Sequence, residues 1–152
     1  MFCYDYPRPA VTVDIVVCTS KLSDVLLIQR KNAPFEGCWA LPGDFIEMEE
    51  TLEAAALREL EEETGVSDVV LTEVGVFGAP SRDPRGRVIT IAYAAVLEKP
   101  VSKIRAGSDA SAAAWFSTTL FDEASQLKPA VKRPKLAFDH GEIIRKALRK
   151  LK

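Results

Sequence analysis

Residues 51–64 of this chain, TLEAAALRELEEET, constrain it more than any other stretch. They are rich in Ala, Leu, Glu and Arg and hold no Gly or Pro, so they predict a helix. Gly65 stands where a C-terminal cap belongs. Thr51 is the expected N-cap, although its capping-box partner would be Ala54, which cannot reciprocate. Leu52, Ala55, Ala56 and Leu60 supply a narrow apolar stripe for a core. The helix also gathers Glu59, Glu62 and Glu63 on one face, at spacings of three and four. Like charges so placed repel one another. Either the face is simply solvated, or a hard divalent cation sits among its carboxylates.

A Leu-Pro-Gly loop, Leu41-Pro42-Gly43, runs into this helix and favours the second reading. Aligned on Arg58-Glu59, the chain supplies Glu50, Arg58, Glu59, Leu60, Glu62, Glu63, Gly65 and Val66 at fixed spacing. The stretch resembles the Nudix box, GX5EX7REUXEEXGU, where U is a bulky aliphatic residue. One position departs from the pattern: its opening glycine is Asp44 here, one residue after Gly43.

The remaining chain accommodates such a site. Its 152 residues can bury one good core and read as a single domain over 1–152. A formal net charge of −2 gives no general reason to expect nucleic-acid binding. No apolar run approaches membrane-spanning length, and no signal peptide is visible. Cys3, Cys18 and Cys38 lack the paired spacing of a zinc site and read as reduced thiols of a cytoplasmic protein. Residues 1–9 form an aromatic, proline-rich arm that packs on the domain or on a second subunit. Strands are expected over 10–18, 25–30, 69–79, 88–98 and 111–116. Asp14, on the polar face of the first of these, reads as a hydrogen-bonded structural residue. A polar loop is expected over 99–109, a short helical segment over 120–127, and an amphipathic helix over 139–151. Residues 80–87, PSRDPRGR, form a basic loop that is either a solvated turn or an anion clamp. Patterning alone yields one mixed α and β domain.

The resemblance implies more. It implies an α+β protein with the Nudix fold, an α/β/α sandwich around a mixed central sheet. It implies hydrolysis of a nucleoside diphosphate linked to another moiety, with Mg²⁺, or Mn²⁺ in its place, as the cation. Carried over residue by residue, Glu59 and Glu63 are the main metal ligands and Glu62 a further ligand or base. Gly43 would offer its backbone carbonyl to the metal. Arg58 would pair with Glu50 and the helix carboxylates and hold their rotamers. Arg30, at the end of the second strand, would lie near the substrate phosphates, which suit a guanidinium fork. The strings YDYPRPAVTVDIV, FGAPSRDPRGRVITIAYAAV and LAFDH resemble a bacterial and archaeal branch of ADP-ribose pyrophosphatases. That branch implies cleavage of ADP-ribose to AMP and ribose 5-phosphate by a homodimer. Arg82, Asp83 and Arg85 would lie at the substrate mouth, with Phe138 and His140 flanking the pocket.

Two departures leave choices open. Asp44 could add a ligand or repel the diphosphate. Relatives often carry a Glu, a candidate general base, three residues before a Trp-Phe pair; here that position is Ala112, leaving Asp109 or Glu62 as substitutes. The alternatives are a Nudix hydrolase acting on an oxidised nucleoside triphosphate or a dinucleotide, and a non-catalytic sensor of ADP-ribose. A sensor with an added winged-helix domain is not expected of a chain ending at Lys152.

Overall fold

The computed structural model describes residues 1–98, 104, 106–107, 109–128 and 130–152. Its strands are β1 (Ala10–Thr19), β2 (Asp24–Arg30), β3 (Trp39–Ala40), β4 (Thr72–Phe77), β5 (Val88–Leu97) and β6 (Ala110–Ser117). Its helices are α1 (Leu52–Thr64), α2 (Glu123–Gln126) and α3 (His140–Leu151), with a 3-10 turn at Thr118–Phe121. The expected 69–79 strand shortens to β4, and its register shifts between Glu73 and Gly75. The helical segment expected over 120–127 divides into the 3-10 turn and α2. Most of the 99–109 loop lies outside the described residues.

The strands form one mixed sheet in the order β3-β2-β1-β5-β4, with β6 also paired to β2. β1 and β5 run parallel along their full length, from Ala10–Val88 to Thr19–Leu97. β1 alternates its side chains between two cores, as the period of two in a strand requires. Val13, Ile15 and Val17 pack towards Ala55, Ala56 and Leu60 of α1. Val16 and Cys18 pack towards Ile143, Ile144, Ala147 and Leu148 of α3. Both faces are therefore covered, one helix to each, and the α/β/α sandwich follows. Burial pushes the Cys18 thiol up to about 12, so it behaves as a small apolar side chain. Cys3, Cys18 and Cys38 are all free thiols.

β1 and β2 pair at Cys18–Val25 and then diverge. The chain after β3 fills the slot between them. Ala40 pairs with Ile28 of β2, and the Ile15 and Val13 N–H groups then donate to the Pro42 and Asp44 carbonyls, at 2.9 and 3.0 Å. Residues 39–44 thus cross from one strand to the other and deliver the Leu-Pro-Gly loop to the centre of the sheet. On the far side of β3, Trp39 exchanges backbone hydrogen bonds with Lys135 and Ala137, which brings the segment before α3 alongside.

Thr51 caps α1 through a 3.1 Å bond from the Ala54 N–H, an interaction worth about 1 kcal/mol. Gly65 closes the helix in the left-handed conformation, with its N–H on the Glu61 carbonyl.

Candidate active site

The C-terminal half of α1 faces the inserted loop. Glu59 and Glu63 are buried, at 6% and 8% exposure, whereas the Glu62 side chain is 60% exposed. Arg58 organises this face. Its Nε and Nη2 donate to Glu50 at 3.0 and 2.6 Å, and Nη1 reaches Glu59 and, at 3.5 Å, Glu62. The bond from Arg58, with a second from the Glu47 N–H, holds the Glu50 carboxyl down at about 2. Glu50 therefore stays ionised and keeps Arg58 directed at the helix.

Gly43 comes closest to these carboxylates. Its N–H donates to Glu63 Oε2 at 2.7 Å. β1 takes the carbonyls on either side, those of Pro42 and Asp44, so the Gly43 carbonyl stands outside that ladder. Gly43 has φ +148°, and a Cβ there would fall 2.0 Å from the Val13 carbonyl oxygen. The structural need for glycine thus falls at position 43. Asp44 has no left-handed backbone; its carboxylate is exposed and accepts from the Phe45 N–H at 2.8 Å. Asp44→Gly is accordingly expected to keep turnover within about threefold, less than 1 kcal/mol of barrier. Steady-state kinetics check this, and a loss beyond tenfold would assign Asp44 a direct role.

The carboxylates disfavour one another's charge. Burial, helped by Glu59, Asp44 and Asp14, pushes Glu63 up to about 8 against the Gly43 bond. Burial also raises Glu59, opposed by Arg58 and reinforced by Asp44 and Glu62. Among the described residues no three carboxylate, imidazole or thiolate groups converge into a ready-made cation cage. Glu59 and Glu63 stand one helical turn apart, near enough for Glu59 to raise Glu63, and Glu63 lines an open cleft. That donor set fits a small hard cation, which keeps several waters and uses one or two carboxylates together with substrate phosphates.

Two adjoining hollows form the cleft. The first has Thr12, Asp14 and His140 in its lining; the second reaches Glu63 and Asp109. Both include Arg30, Gly43, Asp44 and Arg85, so the arginines share one cleft with Glu63 of the helix. Arg30 donates through Nε to the Pro34 carbonyl at 2.7 Å, and its guanidinium lies 5.0 Å over the Phe138 ring. Burial and the nearby Arg85 both lower its pKa. Arg85 is held by Asp83 through Nε and Nη2, at 3.1 and 2.8 Å, and covers Phe45 and Phe138 at 5.0 and 5.5 Å. These bonds from Arg85 outweigh burial and keep the Asp83 carboxyl low.

The basic loop exposes residues 81 and 84–87 and sends Arg82, Asp83 and Arg85 to the lining of the first hollow. Arg82 turns inward, is buried, and makes a two-pronged ion pair with Asp139 at 2.9 and 2.7 Å. Asp83 is buried as the anchor of Arg85. His140 lines the cleft but is 3% exposed: Nδ1 accepts from the Leu41 N–H at 2.9 Å, and Nε2 faces Asp14 Oδ1 at 3.3 Å. Asp14 is hydrogen-bonded as expected, with Thr90 Oγ1 donating to it at 2.6 Å.

Sequence reasoning missed Asp139, Thr90 and Phe35. Asp139 stood in the quoted LAFDH string, beside His140. Phe35 meets Phe138 edge-on, with centroids 4.8 Å apart, and both residues have positive φ, 60° and 51°. Bulky side chains rarely adopt that backbone, and such outliers gather at binding sites; no residue pattern announces it. Ala112 pairs with Gln29 in the sheet, while Asp109 lies on the cleft beside Glu63.

The fold is that of the Nudix hydrolases, and the chain belongs to that family. The NUDIX domain model matches residues 8–145. Among curated relatives, an ADP-ribose pyrophosphatase of Methanocaldococcus jannaschii is 43% identical over 144 residues, 95% of this chain and 76% of that protein. The ADPR responsive transcriptional repressor NtrR of Acinetobacter baylyi is 36% identical over 97% of this chain, which spans 56% of the repressor's length. Among solved structures, the NUDIX domain of Shewanella oneidensis NrtR complexed with ADP ribose superposes with a TM-score of 0.81 at 32% identity, covering 98% of this chain and 94% of that one.

Proposed function

We propose that this single Nudix domain hydrolyses ADP-ribose to AMP and ribose 5-phosphate, with Mg²⁺ as its cation and Mn²⁺ as a substitute. The observation that carries the reading is the facing of Arg30 and Arg85 against Gly43, Asp44 and Glu63 across one cleft. A diphosphate bridge is an anion that needs cationic groups on one side and a cation-holding carboxylate face on the other. The Methanocaldococcus relative and the ADP-ribose-bound neighbour support the choice of substrate.

In this reading Arg30 and Arg85 grip phosphoryl oxygens through guanidinium forks, and the Phe35–Phe138 wall packs on an apolar part of the substrate. Glu59 and Glu63, with Glu62 or the Gly43 carbonyl in reserve, would hold the cation, which would supply neutralisation of phosphoryl charge and a more acidic water. Water attacks one phosphorus as the bridging P–O bond breaks, and Asp109 or Glu62 takes the water's proton. Arg58 and Glu50 keep the helix carboxylates in place. Arg82, Asp83 and His140 serve the mouth from beneath, through Asp139, Arg85 and Asp14.

We further propose a cytoplasmic homodimer. Three free thiols accord with that compartment. The exposed rings of Tyr4 and Tyr6, near Phe45 and Met48, offer an apolar surface suited to a second copy.

A panel of nucleotides with Mg²⁺, following AMP release, tests the activity. ADP-ribose is expected to turn over well above nucleoside triphosphates and dinucleotides; the reverse order would favour a different nucleotide substrate. The similarity to a repressor across nearly the whole chain favours one further reading, an ADP-ribose sensor. Tight binding with no turnover, unchanged in Glu63→Gln, would establish it.

A further inference from the structure

We infer that His140 is a positioning residue for the catalytic loop: its buried imidazole ties the Leu41 N–H to the Asp14 carboxylate and so sets where Gly43 meets Glu63. The inference rests on Glu59 and Glu63 being the cation-holding pair. Leu41 is 1% exposed, so its N–H cannot turn to water. Its partner is His140 Nδ1, supplied from the first residue of α3, ninety-nine positions away in sequence. Two residues on, the Gly43 N–H holds Glu63.

An acceptor at Nδ1 requires the proton on Nε2, where Asp14 Oδ1 lies 3.3 Å away. One neutral ring therefore offers an acceptor to a buried amide and a donor to a buried carboxylate. Burial favours that neutral form against the pull of Asp14 and Asp139, with Arg82 and Arg30 also opposing charge on the ring. Asp14 is fixed in turn by Thr90 Oγ1 from β5, with Arg82 Nη2 3.9 Å away. Arg82 is itself clamped by Asp139 at the entrance to α3. The network joins α3, β1 and β5 beneath the cleft and ends on the loop backbone. Apolar side chains cannot replace it, because Leu41 and Asp14 would both lose a buried partner.

The test uses His140→Asn, whose carbonyl falls near the place of Nδ1 and whose amide keeps a donor, and His140→Leu, which keeps neither. His140→Asn should retain kcat within about threefold, whereas His140→Leu should lose about 10- to 100-fold in kcat with KM little changed. His140→Leu should also weaken Mn²⁺ binding, measured by EPR without substrate; His140→Asn should not. A role in stability alone would lower Tm and leave the Mn²⁺ affinity of the folded protein intact. Equal losses in both variants, or unchanged kcat and Mn²⁺ affinity in His140→Leu, overturn the inference. His140 is the only histidine, so ¹⁵N-histidine labelling of the native chain gives one imidazole. A single Nε2–H tautomer supports the assignment; an Nδ1–H tautomer ends it, even if His140→Leu does not fold. If native protein cleaves no nucleotide but His140→Leu still loses Mn²⁺, the activity reading fails and this one stands. If Mn²⁺ affinity never changes, this one fails whatever the substrate.

Discussion

Glu63→Gln is expected to lower turnover by more than about a hundredfold while the protein stays folded. The two halves of the result have one origin. Glu63 is buried beside Glu59, Asp44 and Asp14, and its carboxyl rises to about 8 without a cation. Glutamine keeps the shape and an acceptor for the Gly43 N–H but cannot supply a negative oxygen. Its stability effect follows by linkage. The folded protein holds a proton on Glu63 that the unfolded chain has released, so this group's stabilisation is complete below the ordinary carboxylate pKa. It is lost as pH rises through about 8. Metal-free native protein should therefore lose Tm from pH 5 to pH 9 more steeply than Glu63→Gln. Mg²⁺ should restore Tm at the alkaline end in native protein and do little in the variant. Equal slopes, or near-normal turnover, would remove Glu63 from the cation site.

Gly43→Ala should be severely damaging. The added Cβ would meet the Val13 carbonyl oxygen at 2.0 Å and the Asp14 Cα at 2.9 Å, both backbone atoms of the central strand. The backbone at φ +148° also disfavours any side chain. Overpacking and strain together cost about 3 kcal/mol or more. In a chain of this size that lowers Tm by on the order of 10 °C. Activity should fall further than stability, because the loop must move off β1 and take the Gly43 N–H away from Glu63. Differential scanning calorimetry and kinetics below the transition separate the two effects. A variant with native Tm would mean that the loop has another seat.

Helix α1 was legible because its determinants are local. Thr51, the Ala- and Leu-rich interior and Gly65 each act within a turn of the chain, and the structure returns both caps. The spacing of Glu59 and Glu63 is likewise helical arithmetic. What the residues did not disclose depends on distant partners. Nothing in PSRDPRGR tells which arginine meets Asp139, fifty-seven positions on, and which pairs within the loop with Asp83. The basic loop therefore read as one unit, although its arginines point different ways. Histidine 140 presented the same difficulty. Its bond to Leu41 spans most of the chain, so the residue read as a pocket flank and not as an internal tie. The need for glycine was assigned to position 44 by the pattern, yet it is the contact with β1 that makes position 43 the demanding one.

The divergence of β1 from β2 after Cys18–Val25 has an evolutionary consequence. The segment lodged in that slot is templated by main-chain atoms on both sides, so the place where Gly43 meets Glu63 is fixed by architecture. Arg30, Phe35, Arg85 and Phe138 come instead from strand ends and connecting segments outside the slot. The segments that carry Arg85 and Phe138 also carry Arg82, Asp139 and His140, whose bonds lead back to Leu41, so they vary less freely than the stretch around Phe35. A chain built this way can reshape one rim of its cleft by small steps while the seat of Gly43 is kept.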